Sequence, residues 1–148
     1  MGTSFVAIGD KGFWMQDSVL SLWLRLLALN LESKPDRADP VMLLRDEWLW
    51  QSETEIVGTM DAHLDGAAGD AATKAAVVAA IERLLKALSR HGDELPASTM
   101  NLLGFTNSWG LDYQTKGLVE VGNAFLALLA GKIDSEANST EFMPGSRP

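Results

Sequence analysis

Residues 5–15 read FVAIGDKGFWM, from Phe5 to Met15. The fold class turns on them, because the other long segments of the chain are patterned for helix. Gly9-Asp10-Lys11-Gly12 supplies turn chemistry between two apolar runs, the signature of a small hairpin. The same residues suit an extended N-terminal arm equally well. In either case the stretch is short, and the expected fold class is all-α.

Outward from it, a helix is expected from about Gln16 to Glu32. Val19, Leu20, Trp23, Leu26, Leu27 and Leu31 recur at helical spacing, and Ser18, Ser21, Arg25 and Glu32 take the other side. So wide an apolar arc marks a central helix. SKPDRAD then reads as a polar loop. Asp39-Pro40 is an N-cap followed by proline at the first helical position, where no amide partner is lost. The second helix is expected over Pro40 to Ser52. Val41, Leu44 and Trp48 form its apolar stripe, with Leu43 and Trp50 beside it, and Arg45, Asp46, Glu47 and Gln51 form its polar part. Thr54 to Gly69 has no clear period; it suits an extension of that helix, a short helix or an irregular segment, and Gly66 and Gly69 mark a loop.

The third helix is the clearest. Asp70 is its N-cap, and Val77, Val78, Ile81, Leu84, Leu85 and Leu88 keep helical spacing to a stop at Gly92. Pro96 opens a short helix to Leu103. A loop through Asn107 and Trp109 leads to a last helix over Thr115 to Ala130. The expectation is one compact domain of about five helices over residues 1–133, a bundle or orthogonal array, with a flexible tail over 134–148.

Composition narrows the function classes. The chain has 148 residues, 47% of them apolar, and no cysteine. Disulfides, thiolate metal sites and cysteine nucleophiles are thereby removed, and a reducing, cytoplasmic setting is expected. MGTSFVAIGDKGFW has no basic segment followed by an apolar run, so no signal peptide is expected. The most apolar run, MQDSVLSLWLRLLALNL, is broken by charge and suits a core helix rather than a membrane span. A formal net charge of −8 without a Lys/Arg cluster argues against nucleic acid.

Motifs carry little chemistry. Asn107-Ser108-Trp109-Gly110 resembles the segment that holds the orienting Asn of papain-like cysteine proteases. That machinery needs a thiol, and this chain has none. Asp61, His63, Asp65 and Gly66 imitate the start of a calcium loop, but its twelfth position, where a bidentate Glu belongs, is Ala72. A looser Zn or Mn site on Asp61, His63 and Asp65 requires an extended segment, so that alternate residues point one way. Asp46 and Glu47 project about 100° apart on a helix and cannot share a proton. No phosphate-binding glycine motif occurs, and no cofactor is expected.

The expected function is a non-catalytic, acidic protein-interaction module whose partner is another protein of basic character. An inhibitor or immunity-type protein fits this profile. In size and charge the chain is similar to bacterial toxin-neutralising immunity proteins, and no motif carries that likeness. The expected contact residues are Asp46, Glu47, Trp50, Glu53, Glu55, Asp61, Asp65 and Trp109, with steering by charge and a tryptophan anchor. A ligand- or metal-binding helical protein using His63, and an enzyme with His63 or His91 beside a carboxylate, are the alternatives. The wide apolar arcs also permit a homodimer.

Overall fold

A computed structural model describes residues 2–54 and 58–146. The opening stretch is a hairpin. Strands β1 (Thr3–Ile8) and β2 (Lys11–Gln16) pair antiparallel, from Thr3 opposite Gln16 to Ile8 opposite Lys11. The turn is Gly9-Asp10 alone, with a positive φ of 63° at Gly9 and none at Asp10. This is the sign pattern of a type II′ turn, whose twist matches the flanking strands. Lys11 and Gly12 already belong to the strand.

The all-α expectation is thereby corrected. The fold is helix-rich but mixed α/β, and the described residues form two small antiparallel ladders. The second ladder pairs β3 (Glu94–Leu95) with β4 (Tyr113–Gln114). A lone hairpin is marginal in water. This one persists because Val6, Phe13 and Met15 are buried in the common core. On its other face Phe5 and Trp14 pair across the strands, ring centroids 5.3 Å apart.

Helix α1 (Asp17–Asn30) is the hub and buries nearly its whole circumference, as its wide arc implies. Helix α2 (Pro40–Thr54) packs along it, and a single turn and a half, α3 (Leu64–Ala68), leans on β1. Helix α4 (Ala71–His91) runs from its Asp70 cap to Gly92, then come the short α5 (Ala97–Met100) and α6 (Thr115–Leu129). Helices α4 and α6 cross closely at Gly122, where a Cβ would meet Leu85 and Trp23. Arg25 ties α1 to its surroundings, donating to Leu103 O at 2.7 Å, Leu49 O at 3.1 Å and Gly104 O at 3.2 Å. It thereby fixes the C-terminal half of α2 against the core.

The segment after α6 crosses the hairpin. Gly12 N donates to Ser135 O at 2.8 Å and Trp14 Nε1 to Ala137 O at 2.8 Å. Lys11 pairs with Glu136 at 2.8 Å, and Phe142 packs on Phe13 with centroids 5.8 Å apart. Pro144 and Gly145 are buried, and Tyr113 donates its hydroxyl proton to Gly145 O.

Candidate functional site

Helix α2 begins as its sequence implies. Asp39 Oδ1 accepts Val41 N at 2.9 Å, with Pro40 as the first helical residue. Its inner face is Val41, Met42, Leu44, Trp48, Gln51 and Ser52. The outer face carries Leu43, Asp46, Glu47, Trp50 and Glu53, spaced by three and four residues and therefore one stripe. Leu43 is 57% exposed and Trp50 51%. Each is a large apolar side chain left in water among carboxylates. Arg37 approaches Asp46 at 3.4 Å in the open, a contact that contributes little.

Gln51 departs from its expected place on the polar side. It is only 4% exposed, because positions 44, 48 and 51 share the inner stripe. Its amide clasps the segment ahead of α3. Asp61 N donates to Gln51 Oε1 at 2.7 Å, and Gln51 Nε2 donates to Asp61 O and, at 3.3 Å, to Glu47 Oε1. Trp48 Nε1 adds a bond to Ala62 O at 2.8 Å. Residues 61 and 62 are thus fixed to α2 by buried side chains whose polar atoms are paired, the condition for keeping them inside.

That clasp delivers His63 to Glu47. His63 N donates to Asp61 Oδ1 at 2.7 Å, and the backbone turns left-handed there, with φ 53°. Such a conformation is uncommon for a residue with a side chain. The ring then lies with Nε2 3.1 Å from Glu47 Oε1 and Nδ1 3.6 Å from Asp61 Oδ2. Protonated, it would face a carboxylate at each nitrogen.

Asp65 does not join them. Its Oδ1 accepts Gly9 N at 2.7 Å, so it braces the hairpin turn. The backbone bends into α3 at His63, and the alternate residues Asp61, His63 and Asp65 do not share a side. The looser metal triad is therefore not assembled. Among the described residues no group of three or more His, Asp or Glu is arranged to hold a metal ion.

Between α2, α3 and the start of α4 lies an open cleft of about 410 Å³. Leu43, Leu44 and Ala67 give it apolar walls, and Glu47, His63 and Asp70 give it polar ones. Asp70 caps α4 through Oδ2, which accepts Thr73 N at 3.2 Å and the Thr73 hydroxyl. These bonds from Thr73 hold the Asp70 carboxyl below the ordinary aspartate range. It is a carboxylate throughout the neutral range.

The remaining expected contact residues scatter. Glu53 is exposed at the end of the outer stripe, and its carbonyl accepts the Thr106 hydroxyl at 2.7 Å. Glu55 lies outside the described residues. Trp109 belongs to another cluster, edge-on to Phe105 at 6.3 Å and to Tyr113 at 6.2 Å. Asn101 pins its backbone, accepting Trp109 N at 2.6 Å. His91 is exposed at the far end of α4. Gln51, Asp70 and Thr73 were not among the expected site residues. For Gln51 the signal was legible, since a polar residue at an apolar-stripe spacing asks for a buried partner.

Comparison with protein-family profiles, curated proteins and solved structures finds no match for this chain. Among the described residues no helix is long and apolar enough to cross a membrane.

Proposed function

We propose that the chain is a non-catalytic docking module for a basic protein, of the inhibitor or immunity type, and that it docks through the outer stripe of α2. One observation carries the reading: Leu43 and Trp50 stand exposed on the same stripe as Asp46, Glu47 and Glu53. Interfaces concentrate their energy in a few anchors, with tryptophan the most frequent, ringed by polar contacts. The net charge of −8 supplies long-range attraction for a basic partner.

The test is capture from the native lysate at low and high salt, using the wild type, Trp50→Ala, the pair Asp46→Lys/Glu47→Lys, and Glu82→Lys as a control on α4. A basic protein should bind the wild type and the control at low salt. Its affinity should fall at least about tenfold with Trp50→Ala, the size of an ordinary hot-spot loss. Capture that the α2 variants leave at the level of the control would end this reading. A second copy of the chain on the same stripe would show instead as a concentration-dependent mass that Trp50→Ala abolishes.

One contact favours a second reading. His63 sits in a cleft beside Glu47, the pairing that acid–base chemistry uses. This reading expects a small molecule in the cleft and a role for the ring. Unchanged ligand binding and turnover by His63→Ala would remove it.

A further inference from the structure

We propose that the cleft between α2, α3 and α4 takes the side chain of a lysine from the docked basic partner. The inference rests on the docking reading and names the group that the partner inserts. A lysine side chain is an apolar stem ending in a point charge. The cleft offers both halves of a complement. Leu43, Leu44 and Ala67 would cover the methylenes, and two acidic residues, Glu47 and Asp70, line the same space.

The sign of the field survives its opposing terms. The N-terminus of α4 contributes roughly half a positive charge. Two carboxylates outweigh it, and Asp70 already caps that end. His63 stands between Glu47 and Asp61, so Asp61 adds a further negative group on the ring's other side.

Lysine suits the site better than arginine for a geometric reason. Glu47 Oε1 is shared by Gln51 and His63, and Asp70 Oδ2 by both donors of Thr73. Each carboxylate has one oxygen committed to the protein. A guanidinium reaches its full strength against two open oxygens of one carboxylate, whereas an ammonium needs only proximity to charge.

The experiment is an NMR titration of the intact protein with Nα-acetyl-lysine methylamide. The norleucine and arginine derivatives are run in parallel. Saturable shifts are expected at Leu43, Leu44 and Ala67 with the lysine derivative. The norleucine derivative, which keeps the stem and lacks the charge, should bind about two- to five-fold more weakly. Glu47→Gln and Asp70→Ser should each weaken lysine binding by a similar factor; serine keeps the helix cap while removing the charge.

Equal response to norleucine, tighter binding of the arginine derivative, or shifts confined to other surfaces would overturn the proposal. The wild-type comparison of ligands stands even if a variant folds poorly. The two readings fail separately. Partner capture that needs Trp50 while the cleft stays silent to lysine overturns only the cleft assignment. Lysine binding without any Trp50-dependent capture overturns the docking reading, and with it a partner as the source of the side chain.

Discussion

At the scale of single residues, Gln51 does more for the candidate site than any of its exposed carboxylates. It pairs with both backbone groups of Asp61 and with Glu47, from a nearly sealed position. Truncation strands those groups rather than merely deleting bonds. Gln51→Ala should therefore lower stability by about 1–3 kcal/mol. A urea titration would show this as a lower midpoint at unchanged slope. It should also release His63 from Glu47, read as altered ring shifts of His63. A midpoint within error of the wild type would mean the clasp contributes nothing. Asp70 makes a different case, because its role is charge and cap together. Its carboxyl is held low in the folded state by Thr73. The stability this gives is present above the unfolded pKa and is lost as pH falls through the folded one. Asp70→Ala should lower the melting temperature at neutral pH and differ less from the wild type in acid. Asp70→Ser should recover most of the loss at neutral pH. A deficit that is constant across that acid range would contradict the linkage.

At the scale of elements, the hairpin is the place where one atom decides. Gly12 lies in β2 with its backbone against β1, and a Cβ there would overlap Val6 O and come within 2.8 Å of Ala7 Cα. No flexible side chain is available to yield, so the strands themselves must part. Gly12→Ala should cost roughly 1–3 kcal/mol, the range for forced overpacking. Near-UV circular dichroism would report it through the Phe5–Trp14 pair. An unchanged spectrum and melting curve would show that the strands separate freely. The same contrast explains what the sequence made legible. Helix α4 could be read from cap to stop because its determinants are local: Asp70, the 3–4 spacing of its apolar residues, and Gly92. The hairpin's persistence is not a local property: Val6 and Phe13 face each other across the strands, but they and Met15 are sealed by the common core, where Phe125 of α6 meets Phe13. The His63–Glu47 contact was invisible for a similar reason. It depends on a clasp between residue 51 and residue 61, and on a left-handed backbone at His63, which histidine adopts more readily than most residues but still uncommonly.

At the scale of the whole molecule, the segment over residues 134–146 closes the free edge of β2 and runs on past Phe13 to Tyr113. Its composition is polar, which is why the sequence alone suggests a flexible tail. Its contacts, however, are few and spaced: Ser135 on Gly12, Ala137 on Trp14, Phe142 on Phe13, and Gly145 under Tyr113. Polar residues between such anchors need only face water. A strap of this kind takes its stability from where the anchors land, and an average over its sequence carries no trace of them. With the strap seated there, the Gly12 amide, which donates to Ser135 O, and the Gly145 amide, which reaches Glu120 at 3.2 Å, should exchange with solvent far more slowly than free peptide. Ending the chain after Ile133 should then lower the melting temperature and shift the emission of Trp14, which loses its bond to Ala137. It should also speed exchange at Gly12 while leaving α4, which carries none of these anchors, protected. Exchange at Gly145 at the rate of an unstructured peptide, with melting unaffected by the deletion, would mean that α1, α3 and α6 hold the hairpin without the strap.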